Sequence, residues 1–134
     1  MTGSTQVREF RALIVEDNPA IRFALSRYFT RRHWRVEEVV NGKDALDRLR
    51  AESPDHYDLI ISDVKMPVLS GIELHAVLAD ELPSLLPKLI FSTGDSSAED
   101  VSQFISRTNC TVISKPFELT LLDRILNGIE QTGA

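Results

Sequence analysis

The stretch Leu59-Ile60-Ile61-Ser62-Asp63 is an apolar, β-rich run that ends on a carboxylate. A second apolar run, from Arg11 to Val15, ends in the same way on Glu16 and Asp17. Short, continuous apolar runs of this kind are typical of strands that are covered on both faces, as in parallel sheets. The two runs therefore predict two central strands, each with a carboxylate at or just beyond its carboxyl end.

Three further runs complete a set of five strands. The predicted strands are β1 over 11–15, β2 over 34–40, β3 over 59–63, β4 over 88–92 and β5 over 111–114. Glu37 and Glu38 lie between the valines of β2, and charge of this kind favours a position at the edge of a sheet.

Apolar residues at helical spacing predict a helix after each strand. Asn18 followed by Pro19 is typical of a cap and a first helical turn, and Asn41-Gly42 is interpreted as a turn. Ser70 to Glu73 matches a capping box, and Ser96 to Glu99 matches a second one. The inward residues are Ile21, Ala24, Leu25, Tyr28 and Phe29 (α1); Ala45, Leu46 and Leu49 (α2); Leu74, Val77 and Leu78 (α3); Val101, Phe104 and Ile105 (α4); and Leu122, Ile125, Leu126 and Ile129 (α5). This alternation predicts an α/β fold with a doubly wound parallel sheet.

Size and composition narrow the function. A chain of 134 residues fits one domain, which we expect over 10–131, with a flexible leader over 1–9 and a tail over 132–134. A net charge of −5 argues against direct nucleic acid binding. Cys110 is the single cysteine, which excludes an intrachain disulfide and a cysteine-based zinc site. No apolar run is long enough for a bilayer or typical of a signal peptide, so we expect a cytoplasmic protein.

Polar residues cluster where the predicted strands end. Glu16, Asp17, Asp63, Thr93 and Lys115 all stand at or just beyond a carboxyl end, which is the edge where open α/β sheets bind ligands. Two carboxylates about 4 Å apart repel by roughly 4 kcal/mol at an effective dielectric near 20, so a cation should relieve the site. Oxygen ligands on a shallow rim suit Mg²⁺ or Mn²⁺. With an added hydroxyl and ammonium, the site is equipped for a phosphoryl group attached to a carboxylate.

Four short motifs carry a resemblance to a known family. They are Val15-Glu16-Asp17-Asn18, Asp63-Val64-Lys65-Met66-Pro67 with Gly71 after it, Ser92-Thr93-Gly94, and Lys115-Pro116-Phe117. In this order and spacing the chain, from about Phe10 to Glu130, resembles the receiver domain of two-component response regulators, either free-standing or part of a hybrid histidine kinase. The resemblance implies a five-stranded parallel sheet with strand order 2-1-3-4-5, the flavodoxin-like receiver fold.

The resemblance also implies a role for each acidic residue. Asp63 would accept a phosphoryl group from a histidine kinase or a histidine phosphotransfer protein, in a reaction that depends on Mg²⁺. Asp17 and Asp63 would ligate the ion directly, Glu16 would act mostly through water, and the backbone carbonyl of Lys65 would be a further ligand. The domain would then be a regulatory phosphoacceptor rather than an enzyme acting on external substrates.

The same resemblance assigns the residues around the phosphoryl group. Thr93 would hydrogen-bond a phosphoryl oxygen, Lys115 would pair with the group, and a cis peptide bond before Pro116 would aim Lys115 at the site. In the family, the positions of Lys65 and Asp95 flank the path of attacking water and influence dephosphorylation. We hypothesise that their opposite charges meet across the phosphoryl group and slow its hydrolysis.

One position departs from the family pattern. Three residues before Lys115 many receivers carry a tyrosine or phenylalanine whose rotamer follows the threonine, and here the residue is Val112. A valine has no ring to move between exposed and buried states, so the signal would instead travel through the loop from Gly94 to Ser97 and the start of α4. Output would be a contact with a downstream protein that the sequence does not specify, or would lie in a larger parent polypeptide, and the family analogy allows a homodimer through α4, β5 and α5.

Three other functions compete with this interpretation. A receiver that only binds partners, without phosphorylation, is disfavoured by the intact set of Asp17, Asp63, Thr93 and Lys115. A haloacid-dehalogenase-like phosphatase needs a second aspartate two residues after the nucleophile as its proton shuttle, and that residue here is Lys65. A flavodoxin-like cofactor binder needs a glycine- and hydroxyl-rich phosphate loop after β1, where this chain is acidic.

Overall fold

A computed structural model describes residues 9–66, 68–94, 98–115 and 119–132. Five parallel strands form one sheet in the order β2-β1-β3-β4-β5, which confirms the predicted topology. The strands are β1 (Arg11–Val15), β2 (Arg35–Val39), β3 (Leu59–Asp63), β4 (Leu89–Thr93) and β5 (Val112–Ser114). The strand β2 lies at an edge, as the two glutamates predict. Because Lys88 ends a 3-10 helix, β4 begins one residue later than predicted and includes Thr93.

Five α-helices alternate with these strands. They are α1 (Pro19–Arg31), α2 (Gly42–Ala51), α3 (Gly71–Glu81), α4 (Glu99–Thr108) and α5 (Leu119–Thr132). A 3-10 helix, Pro83–Lys88, which the sequence did not predict, connects α3 to β4. Among the described residues, no helix has the length and apolar character needed to cross a membrane.

The ends of the helices test the predicted caps. Asn18 and Pro19 begin α1 as predicted, and the capping box of Ser70 and Glu73 is formed with both of its hydrogen bonds. Asn41, interpreted as part of a turn, instead caps α2 by accepting the backbone N–H of Asp44 at 2.8 Å. Gly42 is consequently the first residue of that helix.

The second predicted capping box is not formed as expected. The helix α4 begins at Glu99, so Glu99 occupies its first position rather than its third, and Ala98 precedes it without a side-chain cap. Ser96, the predicted cap, lies outside the described residues. Asp100 in the first turn accepts the N–H of Val101 at 2.9 Å, and acidic residues there suit the positive end of the helix dipole.

The core divides into two layers because alternate residues of a strand face opposite sides of the sheet. Leu13, Val15 and Ile60 face the layer that includes α2, α3 and α4, whereas Ala12 and Ile61 face α1 and α5. Each fully buried leucine or isoleucine contributes roughly 1.5–3 kcal/mol relative to an exposed one. This two-sided burial explains why the inner strands β1, β3 and β4 are largely apolar, and it leaves most of their polar residues to the strand ends.

Candidate phosphoacceptor site

The parallel register brings four strand ends to one edge of the sheet. Val15 is aligned with Ser62, Asp63 with Ser92, and Thr93 with Ser114. Glu16 directly follows the first of these strands, and Lys115 directly follows the last. The backbone N–H of Lys115 donates to the carbonyl of Thr93 at 2.9 Å, which ties the end of β5 to the end of β4.

Three carboxylates meet at this edge. Each of Glu16, Asp17 and Asp63 has an oxygen within 4.8 Å of an oxygen of the others, an arrangement that could hold a metal ion. Their exposure is graded, since Glu16 is 1% exposed and Asp63 9% exposed, whereas Asp17 is open to solvent. The cluster of three carboxylates therefore has a buried glutamate on its inner side and is open to solvent on its outer side.

Lys115 bridges two of the carboxylates. Its Nζ lies 3.0 Å from Oε1 of Glu16 and 2.9 Å from Oδ2 of Asp63. Burial alone would lower the pKa of Lys115, but its hydrogen bonds to Asp63 and Glu16 outweigh burial and raise the pKa. Burial raises the pKa of Glu16, although the hydrogen bonds from Asn18 and Lys115 oppose that shift. One ammonium thus partly balances three carboxylates, and a net negative charge remains at the site.

The loop after β1 is held by its own side chains. Oδ1 of Asn18 accepts the N–H groups of Ala20 and Ile21 at 2.9 and 3.1 Å, while the N–H of Asn18 donates to Oε2 of Glu16 at 3.1 Å. Nη1 of Arg22 donates to the carbonyl of Glu16 at 2.9 Å. The cap of α1 and the buried carboxylate are therefore one hydrogen-bonded unit.

The loop after β3 turns back onto Asp63. The N–H of Lys65 lies 3.3 Å from Oδ1 of Asp63, and the N–H of Gly71 donates to the carbonyl of Val64 at 2.8 Å. The side chain of Lys65 is exposed, and its Nζ lies 3.6 Å from Oδ1 of Asp100 in α4. The loop thus connects Asp63 to α3 by a backbone hydrogen bond and to α4 by an ion pair.

The structure brings together Glu16, Asp17, Asp63, Lys65 and Lys115, with Thr93 buried at the end of the adjoining strand. Asp95 and Pro116 lie outside the described residues, so the predicted charge pairing across the phosphoryl group and the predicted cis bond stay predictions. Val112 is half-buried in β5 and aligned with Phe91 of β4.

Sequence reasoning missed two residues of the site. Arg22 gave no signal, because one arginine on an amphipathic helix is indistinguishable from an ordinary surface cation. Gly42 was interpreted as a turn residue, yet its N–H donates to the carbonyl of Leu69 at 3.1 Å, which ties α2 to the loop after β3. Only the tertiary arrangement shows either contact.

The fold and this site define a class of protein. The family model for the response regulator receiver domain matches residues 12–127, and the chain belongs to that family. It is 31% identical over 119 residues to the sensor protein EvgS of Escherichia coli K12, covering 89% of this chain and 10% of that protein. It is 32% identical over 113 residues to the transcriptional activator PfeR of Pseudomonas aeruginosa, covering 84% of this chain and 35% of that protein.

Solved structures agree on the fold. The receiver domain of the sensor histidine kinase PA1611 from Pseudomonas aeruginosa, a structure with magnesium coordinated in its active-site cleft, aligns with a TM-score of 0.79 at 23% identity. That alignment covers 92% of this chain and 99% of the other. The alignment therefore includes nearly all of that solved receiver domain, whereas the chain spans only a tenth to about a third of the length of the two curated relatives.

Proposed function

We propose that this receiver domain is a phosphoacceptor switch, which takes a phosphoryl group onto Asp63 from a phosphohistidine of a kinase or phosphotransfer protein. The observation that carries the proposal is the bridging of Asp63 and Glu16 by Lys115, beside the carboxylate of Asp17. This arrangement places the carboxylate of Asp63 beside a positive charge at the edge of the sheet where the acidic residues meet. The proposal also includes a downstream protein partner, a surface for a homodimer through α4, β5 and α5, and a cytoplasmic location. These are expectations from the sequence, as is the phosphohistidine donor.

The donor set at the rim fits a hard divalent cation. Carboxylate oxygens from Glu16, Asp17 and Asp63 lie close together, and oxygen-only sites of this kind suit Mg²⁺ or Mn²⁺. Asp17 and Asp63 would hold the ion with the carbonyl of Lys65, and Glu16 would act mostly through water. When bound, the cation would offset the repulsion between these carboxylates and an incoming phosphoryl group.

The transfer itself is a nucleophilic displacement at phosphorus. A carboxylate oxygen of Asp63 forms the new O–P bond while the N–P bond of the donor breaks, and the leaving imidazole nitrogen keeps the electron pair and is then protonated. Lys115 supplies positive charge beside the acceptor, because its Nζ is already 2.9 Å from Oδ2. Thr93, buried at the end of β4, would supply a hydroxyl to the phosphoryl oxygens.

Phosphorylation changes the charge balance that orders this edge. The acyl phosphate would carry roughly −1.5 to −2 charge in place of the single negative charge of the carboxylate, and it would compete with Glu16 for the ammonium of Lys115. Since the N–H of Lys115 is bonded to the carbonyl of Thr93, this shift would reach β5 and the neighbouring surface of α4 and α5. With Val112 in place of an aromatic residue, the charge contact of Lys65 with Asp100 offers another connection to α4.

Acetyl phosphate tests the proposal directly. Intact mass spectrometry after incubation with Mg²⁺ should show the gain of one phosphoryl group, which Asp63→Asn and chelation of the metal should each abolish. Asp80→Asn is the matched control, because Asp80 is an exposed carboxylate on α3, away from the rim. A wild-type protein that is folded and binds Mg²⁺ but gains no phosphoryl group would refute the proposal and favour a receiver that only binds partners.

A further inference from the structure

The loop that follows the acceptor is described at residues 64–66 and 68–69, and two buried glycines hold these two parts. Gly71, the first residue of α3, donates its N–H to the carbonyl of Val64 at 2.8 Å. Gly42, the first residue of α2, donates its N–H to the carbonyl of Leu69 at 3.1 Å. Two helices thus each contribute one backbone bond to the ends of a single short loop.

The approach of α2 to this loop leaves no room for a side chain. A Cβ atom on Gly42 would lie 2.2 Å from the carbonyl oxygen of Leu69 and 2.9 Å from its carbonyl carbon. Both neighbours are backbone atoms, so a rotamer change cannot relieve the overlap, and either the helix or the loop has to move.

The helix is the better anchored of the two. Ala45, Leu46 and Leu49 of α2 are buried in the core, and Asn41 caps its first turn. In the loop, by contrast, Val68 is 72% exposed and has a φ of 71°, a conformation that costs a β-branched residue free energy. A Cβ at position 42 should therefore displace the loop rather than the helix.

Displacement of the loop reaches the acceptor, because the loop begins directly after it. Lys65 donates its N–H to Oδ1 of Asp63 at 3.3 Å, and its carbonyl is a proposed metal ligand. We propose that Gly42 is a positioning residue for the phosphoacceptor site, which sets the place of the loop after β3 through its close backbone contact with Leu69. This inference rests on the proposed function, since it concerns the same metal and acceptor site.

Gly42→Ala tests the inference, with Gly128→Ala as the matched control. Gly128 is also a helical glycine, but a Cβ there would meet nothing within 4 Å. We expect Gly42→Ala to weaken Mg²⁺ binding, measured by titration calorimetry, by about 10-fold, the lower end of the loss seen when a group that orients a metal ligand is altered. The Mg²⁺ concentration for half-maximal phosphorylation by acetyl phosphate should rise by the same factor, and the control should change neither value.

A purely structural role predicts a different pattern. In that case Gly42→Ala would lower the urea midpoint but bind Mg²⁺ as tightly as the wild type, and this result would overturn the inference. If Gly42→Ala gives this result while the wild type binds Mg²⁺ and is phosphorylated, the inference fails and the proposed function stands. If the wild type does neither, the proposed function fails, and the inference fails with it.

The wild-type protein offers a second measurement that needs no variant. In amide NMR spectra, titration with Mg²⁺ should shift the resonance of Gly42 together with those of Asp63 and Lys65, and should leave Gly128 in place. A Gly42 resonance that stays in place while the resonances of Asp63 and Lys65 move would overturn the inference, even if Gly42→Ala fails to fold.

Discussion

Replacing Lys115 by methionine removes the ammonium that joins two carboxylates while keeping a long, flexible side chain. The ammonium lies 3.0 Å from Glu16 and 2.9 Å from Asp63, and each attraction is about 5.6 kcal/mol at an effective dielectric near 20. The cost of desolvating the charges offsets much of this sum, and breaking such a buried pair typically costs about 3–5 kcal/mol. We expect a loss near the lower end of that range, about 3 kcal/mol, because Asp63 is close to the open rim.

The same change should strengthen the binding of a divalent cation. Without the ammonium, the three carboxylates lose their internal counter-charge, so Mg²⁺ should bind about tenfold more tightly, which corresponds to about 1.4 kcal/mol. At one fixed Mg²⁺ concentration the variant should therefore gain more stability from the ion than the wild type does. Phosphorylation by acetyl phosphate should nevertheless slow, because the transferred group loses its positive partner.

Urea unfolding followed by circular dichroism, with and without Mg²⁺, measures both effects. Lys43→Met is the control, since Lys43 forms an exposed ion pair with Asp47 at 2.9 Å, and such pairs contribute at most about 1 kcal/mol. The reasoning is refuted if Lys115→Met unfolds at the wild-type midpoint without Mg²⁺, or if it binds Mg²⁺ no more tightly.

Three further predictions concern stability. Burial raises the pKa of Glu37, but hydrogen bonds to its carboxylate outweigh burial and lower the pKa. The stability that Glu37 contributes is therefore present above its pKa in the unfolded state, and it is lost as the pH falls through its pKa in the folded state. The stability difference between the wild type and Glu37→Gln, measured by urea unfolding, should therefore shrink in acid, and a difference that stays constant with pH would contradict this. Leu126→Ala, at a fully buried position, should cost about 2–5 kcal/mol, whereas Leu119→Ala, at a half-exposed position, should change stability far less in the same assay. Val68→Gly should raise the unfolding free energy by about 0.5–1 kcal/mol, because glycine adopts a positive φ without the usual cost; an unchanged or lower midpoint would contradict it.

The sequence predicted the sheet and the rim because both depend on local patterns. Apolar runs marked each strand, and the residue at which each run stopped marked the site, so Asp63 and Lys115 followed from the strand ends. The 3-10 helix at Pro83–Lys88 was not predicted, because two prolines in six residues indicate a loop as readily as a tight turn.

The contacts that the sequence did not predict are between residues far apart in the chain. Glu37 was interpreted as an edge charge, but it is bonded to Tyr57 at 2.8 Å and to Arg48 at 2.5 Å. No local pattern indicates that a residue of β2, one of α2 and one of the following loop will meet. The same limit explains why Gly42 was predicted to be a turn residue rather than a contact of the acceptor loop.

The position of the single tryptophan determines which events its fluorescence can report. Trp34 precedes β2, whose first residue is aligned with the first residue of β1, so its ring lies at the end of the sheet opposite the acidic cluster. The ring is 3% exposed, stacks on Phe10 and donates its Nε1–H to Glu130 at 2.7 Å. Its fluorescence should therefore report the docking of α5 and global unfolding while remaining insensitive to occupancy of the rim. Quenching by Mg²⁺, which requires an indole beside the ion, would be a poor binding assay for this chain.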